Sequence, residues 1–383
     1  MTTVPISLDK LLTGQLKYMS EHDFDVYMIS SWDEKISLLE KRERSKFIAV
    51  NMSRAISPLK DITSLFKLIV LFKKLKPQIV HTHTPKAGFL GMLASWIVRV
   101  PVRLHTVAGL PLMEAKGFKR IVLNRVEWLT YRCAVKVYPN SKNLRDFIIK
   151  SRFCKPEKLN VIGNGSSNGI DINYFNMNAE IQEMAENLKR AFGINEENFV
   201  FIFVGRLVKD KGIGELVQAF SELNKIYPHL RLLLVGPMEP ELDPLTDACL
   251  SLIDNNNNII TAGFQNDVRP YLAISHALAF PSYREGFPNV PMQAGCFNLP
   301  SIVTDINGCN EIIQEKVNGL IVPVKDTESL RNAMELIITD RALYLQIKNN
   351  ARRLVVENYD QKKMWELILS DYQYHLKIKN IVS

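Results

Sequence analysis

Hydrophobic positions along this chain fall in short runs of four to six residues, separated by segments of helix length, from one end to the other. In the first half, the runs at 26–30, 47–50, 78–81, 102–105, 135–138 and 159–162 predict strands; in the second, those at 199–204, 230–235, 258–261, 277–280, 301–304 and 319–322 do so. Between them apolar residues recur at helical spacing, as in Leu216, Val217 and Phe220. Such alternation builds parallel sheets covered by helices on both faces. The turn-rich Gly163-Asn-Gly-Ser-Ser-Asn-Gly-Ile-Asp171 lies between the two cycles and reads as a hinge. The pattern therefore predicts two doubly wound α/β domains, residues 1–165 and 166–355, followed by an aromatic helical segment over 356–383. The first cycle lacks its opening strand, because Thr2-Thr-Val-Pro5 is loop-like. Either the start lies upstream or the domain does without a full central strand, which would leave a costly unpaired ladder.

A length of 383 residues exceeds one ordinary α/β core, and 46% hydrophobic residues without a low-complexity tract predict folding throughout. No basic stretch followed by an apolar one opens the chain, and the longest apolar run, 88–98, falls well short of a membrane span. The five cysteines are odd in number and lack paired metal spacing, which fits reduced thiols in a cytosol. Charge is uneven: residues 1–165 hold 28 Lys+Arg against 13 Asp+Glu, whereas 166–383 hold 20 against 27. Much of the basic excess lies in Lys60, Lys67, Lys73, Lys74 and Lys76, around an apolar run at 65–72, and in Lys116, Lys119, Arg120, Arg125 and Arg132. Greasy helices with basic rims suit an anionic membrane surface or a diphosphate-bearing lipid. A solvated basic face is the plainer alternative. Nucleic acid is not expected as a partner, since no aromatic-interleaved basic motif is present.

The segment 281–295, Pro-Ser-Tyr-Arg-Glu-Gly-Phe-Pro-Asn-Val-Pro-Met-Gln-Ala-Gly, carries the most chemistry. It follows a buried strand, and Pro288 stands where a first helical residue belongs. Glu285, Gly286 and Phe287 then form a strand-to-helix loop whose free N–H groups, through Asn289, point at a ligand. A carboxylate there suits sugar hydroxyls as hydrogen-bond donors, or else it only caps the helix. After the strand ending at Val204 comes Gly205-Arg-Leu-Val-Lys-Asp-Lys-Gly212, which places Arg206 and Lys211 at a strand's C-terminal end beside a helix start. Two cations there can neutralise a diphosphate leaving group. The Walker pattern is absent.

These motifs, in this order, resemble the retaining glycosyltransferases of family 4, over essentially the whole chain. The likeness extends to His81-Thr-His-Thr-Pro-Lys-Ala-Gly88, His105-Thr-Val-Ala-Gly-Leu-Pro111, Gly165-Ser-Ser-Asn-Gly-Ile-Asp171 and Thr304-Asp-Ile-Asn-Gly-Cys-Asn-Glu311, and is greatest to bacterial members that extend capsule, O-antigen or lipid-linked glycan precursors. The resemblance implies a GT-B fold, two facing Rossmann-like domains with a deep cleft between them, closing about the 163–171 hinge. It implies that Arg206 and Lys211 hold the donor diphosphate, that Glu285 contacts the donor sugar, and that a second glutamate eight residues on grips the ribose. Here that position is Gln293, which keeps one acceptor oxygen but loses the charge. His105 matches the family's active-site histidine, and His83, sharing a strand face with His81, is the second catalytic candidate. Gly14 is a candidate for close backbone approach to the donor phosphates.

No metal site is evident: Asp23-Phe-Asp25 has Asp-x-Asp spacing but precedes a strand, and GT-B enzymes are expected to use protein cations in place of a metal. No other cofactor is implied, since the glycines at 163, 165 and 169 miss the dinucleotide spacing. The sequence thus points to a cytoplasmic enzyme, peripheral at the inner face of the membrane, that moves a sugar with retention from a UDP-sugar to a polyprenyl-diphosphate-linked saccharide. The alternatives are a GT-B nucleotide-sugar 2-epimerase and a non-catalytic, membrane-associated scaffold derived from a glycosyltransferase.

Overall fold

A computed structural model describes residues 1–34, 36–53, 57–110, 112, 115–239, 241 and 243–381. Pro111, within one of the quoted motifs, and the last two residues of the predicted C-terminal segment lie outside them. The chain forms two units, residues 1–169 with 361–383, and residues 170–360.

In the second unit six parallel strands make one sheet: β6 (Phe199–Val204), β7 (Leu230–Val235), β8 (Ile259–Gly263), β9 (Ala277–Phe280), β10 (Ser301–Thr304) and β11 (Gly319–Val322), ordered β11-β10-β9-β6-β7-β8. The order reverses between β6 and β9, whose C-terminal ends carry both motif loops, and ligands of open α/β sheets bind at such a switch point. All its strands but the edge strand β8 are largely buried on both faces; Phe201, Ile202, Leu232, Leu233, Leu278 and Ile302 are fully enclosed. Helices cover both sides, which is why these strands read as unbroken apolar runs.

The first unit carries β1 (Tyr27–Ser30) paired with β2 (Lys46–Ala49), and β3 (Ile79–Thr82), β4 (Val102–Val107) and β5 (Lys136–Pro139) in a second parallel set. The predicted strand at 159–162 is reduced to a single bridge, Val137 to Leu159, before the chain turns through Gly163 at φ 56°. Between β1 and β3, Met1–Thr3 run as a strand stub: Thr2 N–H donates to Ile29 O at 3.0 Å, Ser31 N–H to Thr3 O at 3.2 Å, and His83 N–H to Met1 O at 3.0 Å. The loop-like start is therefore held by backbone hydrogen bonds on both sides.

The helix Arg341–Tyr359 stays with the second unit, where Tyr359 Oη donates to Glu311 O at 3.0 Å, so the chain returns at 360–361, later than the pattern at 356 suggested. The next helix, Gln361–Ile378, belongs to the first unit. Its Trp365 indole donates to Asn168 Oδ1 at 2.7 Å, its Tyr372 hydroxyl meets His81 Nδ1 at 2.6 Å, and its Asp371 accepts from the Tyr138 hydroxyl.

Candidate functional site

In the second unit the loops after β6 and β9 are fastened to one another by backbone. Gly212, at φ 70°, lies so near the β9 loop that a Cβ would sit 2.1 Å from Pro281 O. Gly236, after β7, packs on Gly205 in the same way, with 1.8 Å to Gly205 O. Tyr283 N–H donates to Asp210 O at 2.9 Å, and the Arg284 guanidinium grips Asp210 Oδ2 at 3.0 and 2.7 Å. Glycine is needed at 212 because a left-handed backbone and a touching neighbour coincide there.

That scaffold brings Arg206, Lys211 and Glu285 together. Lys211 Nζ lies 2.5 Å from Glu285 Oε1 and 3.5 Å from Ser282 Oγ. Arg206 Nη1 donates to Glu239 Oε2 at 2.8 Å, and the charge on Glu285 is close enough to help raise the guanidinium pKa, after the larger effect of Glu239. Both cations expected to meet a diphosphate are thus paired with carboxylates. Arg206 is the more exposed, at 41% against 14% for Lys211.

The 304–311 motif supports the Glu285 loop from below. Asn307 Nδ2 donates to the Gly286 carbonyl, Thr304 Oγ1 to Ser282 O, and Gly308 packs where a Cβ would lie 2.7 Å from Gly286 O. The helix that follows starts one residue later than expected: Pro288 is the N-cap, at φ −74° and ψ 133°, and Asn289–Cys296 are helical. A proline has no side chain with which to cap the first-turn N–H groups. Asn289 is exposed, Phe287 packs on Tyr359 with ring centroids 5.6 Å apart, and Gln293 is half-buried in the second turn.

In the first unit, His81 and His83 stack with ring centroids 4.1 Å apart, as strand alternation requires. His81 is held at both nitrogens, Nδ1 by Tyr372 and Nε2 by Thr106 Oγ1 at 2.8 Å. His83 lies just past β3; its Nδ1 is buried and has no hydrogen-bond partner among the described residues. It lines a small pocket with Thr106, Ser166 and Ser167, and Ser167 Oγ is likewise buried without a partner. His105 does not close its strand, because β4 runs on to Val107. Its ring is 2% exposed, meets Thr82 Oγ1 at 2.8 Å, and fills the space beside Gly88, where a Cβ would lie 2.4 Å from Cε1. Burial holds all three imidazoles below the usual range, His105 at about 4.

The expected opening at Gly14 is filled. Its N–H donates to both oxygens of Glu43, at 3.0 and 3.1 Å, and a Cβ there would strike the Trp365 ring at 2.6 Å. Glu43 is 2% exposed and also accepts from Arg42 Nε at 2.8 Å. Neither Glu43 nor Glu239 was legible as a site residue, since no local motif surrounds them. Among the described residues no group of three His, Cys, Asp or Glu is placed to hold a metal.

Comparison with known proteins follows this division. HepE of Anabaena, solved in complex with UDP, superposes with TM-score 0.81 at 18% identity, covering 97% of this chain and 98% of that one. A glycosyltransferase of Rickettsia africae gives 0.82 at 21%, covering 98% and 97%. These likenesses show the fold, GT-B. The capsular polysaccharide biosynthesis glycosyltransferase CapM of Staphylococcus aureus is 33% identical over 96% of this chain and 94% of its own length. An Escherichia coli enzyme, UDP-Gal:alpha-D-GlcNAc-diphosphoundecaprenol alpha-1,3-galactosyltransferase, is 27% identical over 91% of each. Residues 12–167 match the family described as Glycosyltransferase Family 4, and residues 184–354 match Glycosyl transferases group 1. With each unit matched by its own domain family and a relative alike over nearly all of both chains, the protein belongs to the family 4 glycosyltransferases.

Proposed function

We propose that this glycosyltransferase moves a sugar, with retention and without a metal, from a UDP-sugar to a polyprenyl-diphosphate-linked saccharide at an anionic membrane surface. The observation that carries the donor half is the placement of Arg206, Lys211 and Glu285 on two loops locked together at a sheet switch point. In this reading the arriving diphosphate takes Lys211 from Glu285 and Arg206 from Glu239. The freed Glu285 carboxylate then accepts hydrogen bonds from the donor sugar, and Gln293 accepts one from the ribose. The cations neutralise charge as it grows on the departing UDP, and an oxygen of that diphosphate draws the proton from the incoming hydroxyl on the same face of the sugar. His83, whose buried Nδ1 has no partner among the described residues, is the favoured catalytic histidine of the first unit. The order of preference between His105 and His83 is thereby reversed, because the His105 ring is enclosed by β3 and the Pro85–Ile97 helix.

The acceptor half rests on the E. coli relative, whose substrate is a diphosphoundecaprenol, and on two helix faces of the first unit. Along Pro58–Leu75, Leu59, Ile62, Phe66 and Val70 share one exposed face, flanked by exposed Lys60, Lys67, Lys73 and Lys74. Along Gly117–Cys133, Phe118, Ile121 and Trp128 do the same beside Lys116, Lys119 and Arg125. Both helices pack on Pro85–Ile97, whose Trp96 and Ile97 are exposed too. Among the described residues no helix is long and apolar enough to cross a membrane. Apolar side chains ringed by lysine suit insertion at an interface, with the charge drawing the protein to anionic lipid. The test is transfer from a panel of UDP-sugars to a polyprenyl-diphosphate saccharide in anionic vesicles, with product configuration read by NMR. An inverted linkage, or transfer only when a divalent metal is added, would overturn the reading.

A further inference from the structure

His83 Nδ1 and Ser167 Oγ are both buried without a partner among the described residues, and both residues line the same cavity of the first unit. That cavity leaves about 10 Å³ for the centre of a water-sized sphere, which is room on the order of one molecule. Two orphaned polar atoms beside so small a space point to a partner they share, because buried polar groups are paired through protein or ordered water. The walls are fixed by bonds of their own. Ser166, at φ 74°, donates its N–H to Asn140 O at 2.7 Å. Asn168 Oδ1 accepts from the Trp365 indole at 2.7 Å, and its Nδ2 donates to Thr13 O at 3.0 Å. Ser167 is thus held from both sides in sequence. Across the cavity His81 is bonded at both ring nitrogens, so its plane cannot turn, and His83 stacks on it with the planes 29° apart.

The donors and acceptors of the lining decide how such a molecule is oriented. Ser166 Oγ already accepts from the N–H groups of Gly169 at 3.0 Å and Asn168 at 3.4 Å, so what it has left to offer is its O–H. Ser167 brings a second O–H. A water that accepts from both hydroxyls has used its two lone pairs, and it can meet the imidazole only by donating. Thr106 Oγ1 lines the same cavity and can take its other hydrogen. Burial holds His83 below its usual range and therefore neutral, so one ring nitrogen carries a proton and the other accepts.

We propose that one buried water joins Ser167 to His83, accepting from the hydroxyls of Ser166 and Ser167 and donating to His83 Nδ1, so that the His83 proton stays on Nε2. Ser167 is then a positioning residue: it touches no substrate and acts by fixing the tautomer of the ring beyond the water. The consequence for chemistry is specific. A neutral imidazole with its proton on Nε2 and its Nδ1 occupied is a hydrogen-bond donor towards a substrate oxygen and is not a base. It leaves removal of the acceptor proton to the departing diphosphate. That consequence rests on the reading of His83 as the catalytic histidine, whereas the water and the tautomer do not.

The test is NMR of the parent chain labelled at its histidine nitrogens, at about pH 8, where imidazoles are neutral. His83→Gln identifies the signal among the 7 histidines. One tautomer is expected, with the proton on Nε2 and Nδ1 shifted by an accepted hydrogen bond, and a crystal structure of the parent should place one water within bonding distance of Ser167 Oγ and His83 Nδ1. In Ser167→Ala the Nδ1 signal should move towards that of an unbonded nitrogen. Turnover should fall by about tenfold or more while UDP affinity stays unchanged, a split that a loss of folding would not give. A proton on Nδ1, a direct bond from Ser167 to His83, or an unchanged His83 signal in folded Ser167→Ala would overturn the proposal. The parent measurements need neither a variant nor activity, so they decide the matter even where Ser167→Ala fails to fold. A parent that shows the expected water and tautomer but transfers no sugar would strike the proposed reaction and uphold this inference.

Discussion

Lys211 and Glu285 meet at 2.5 Å although 74 residues separate them, and the contact exists because Gly212 lets the loops after β6 and β9 touch. In the proposed reading, a cation for the donor diphosphate and an anion for the adjoining sugar therefore neutralise one another before the donor arrives. Replacing Glu285 with Ala frees Lys211 for the diphosphate. UDP is then expected to bind as tightly as to the parent, or several-fold more tightly, while transfer falls by about a hundredfold or more. Calorimetry and turnover on one preparation separate the two effects.

Gly212→Ala puts a Cβ against Pro281 O in a left-handed backbone, so it should cost about 2–4 kcal/mol and loosen both motif loops. The expected signature is a lower melting temperature together with weaker UDP binding. Gly193→Ala is the comparison: that residue also has a positive φ, 63°, but nothing lies within 4 Å of its Cβ. It should lose less stability and leave UDP binding unchanged.

The proposed membrane face is tested by substitutions that the fold should tolerate. Phe66→Asp and Val70→Asp change side chains 64% exposed, so the expected effect on stability is within about 0.5 kcal/mol each. Flotation with anionic vesicles at low salt should be lost in the double variant, whereas the parent is released progressively as salt rises. Flotation of the variant equal to the parent would remove this face from the account.

Stability should fall on acidification. The buried imidazoles of His81, His83 and His105 have pKa values depressed by burial, His105 to about 4 from 6.5, and the Met1 amine lies at about 5. Below their ordinary values the unfolded chain binds protons that the folded chain refuses, so stability is full above pH 8 for these groups and is lost towards pH 4. Glu127 acts in the opposite direction: burial raises its carboxyl from 4.5 to about 7, and its contribution disappears as pH rises through that value. Urea midpoints at pH 5, 6.5 and 8 should therefore rise with pH, and more steeply in Glu127→Gln. A midpoint highest at pH 5 would contradict the burial of the histidines.

The second unit was the more legible half, for a physical reason. Parallel strands buried on both faces read as continuous apolar runs, and the runs at 199–204, 230–235, 277–280, 301–304 and 319–322 coincide with observed strands. In the first unit the run at 159–162 is interrupted by the exposed Asn160, and the turn at Gly163 leaves it one bridge. Arg206, Lys211 and Glu285 could be found because strand ends and helix starts are local signals. Their partner Glu239, and Glu43 beneath Gly14, could not, since each is brought in by tertiary contact alone. The enclosure of His105 by Thr82 and Gly88 was equally invisible, because a strand histidine looks the same whether its ring faces a helix or solvent. Met1–Thr3 read as loop because three residues cannot show a period.

The most direct test is titration of UDP into the parent chain, Arg206→Ala and Glu285→Ala by calorimetry. Binding is expected for the parent, little or none for Arg206→Ala, and undiminished binding for Glu285→Ala. Equal loss of affinity in the two variants, or no binding of UDP by a well-folded parent, would contradict the assignment of the diphosphate to the cations and of the sugar to the carboxylate.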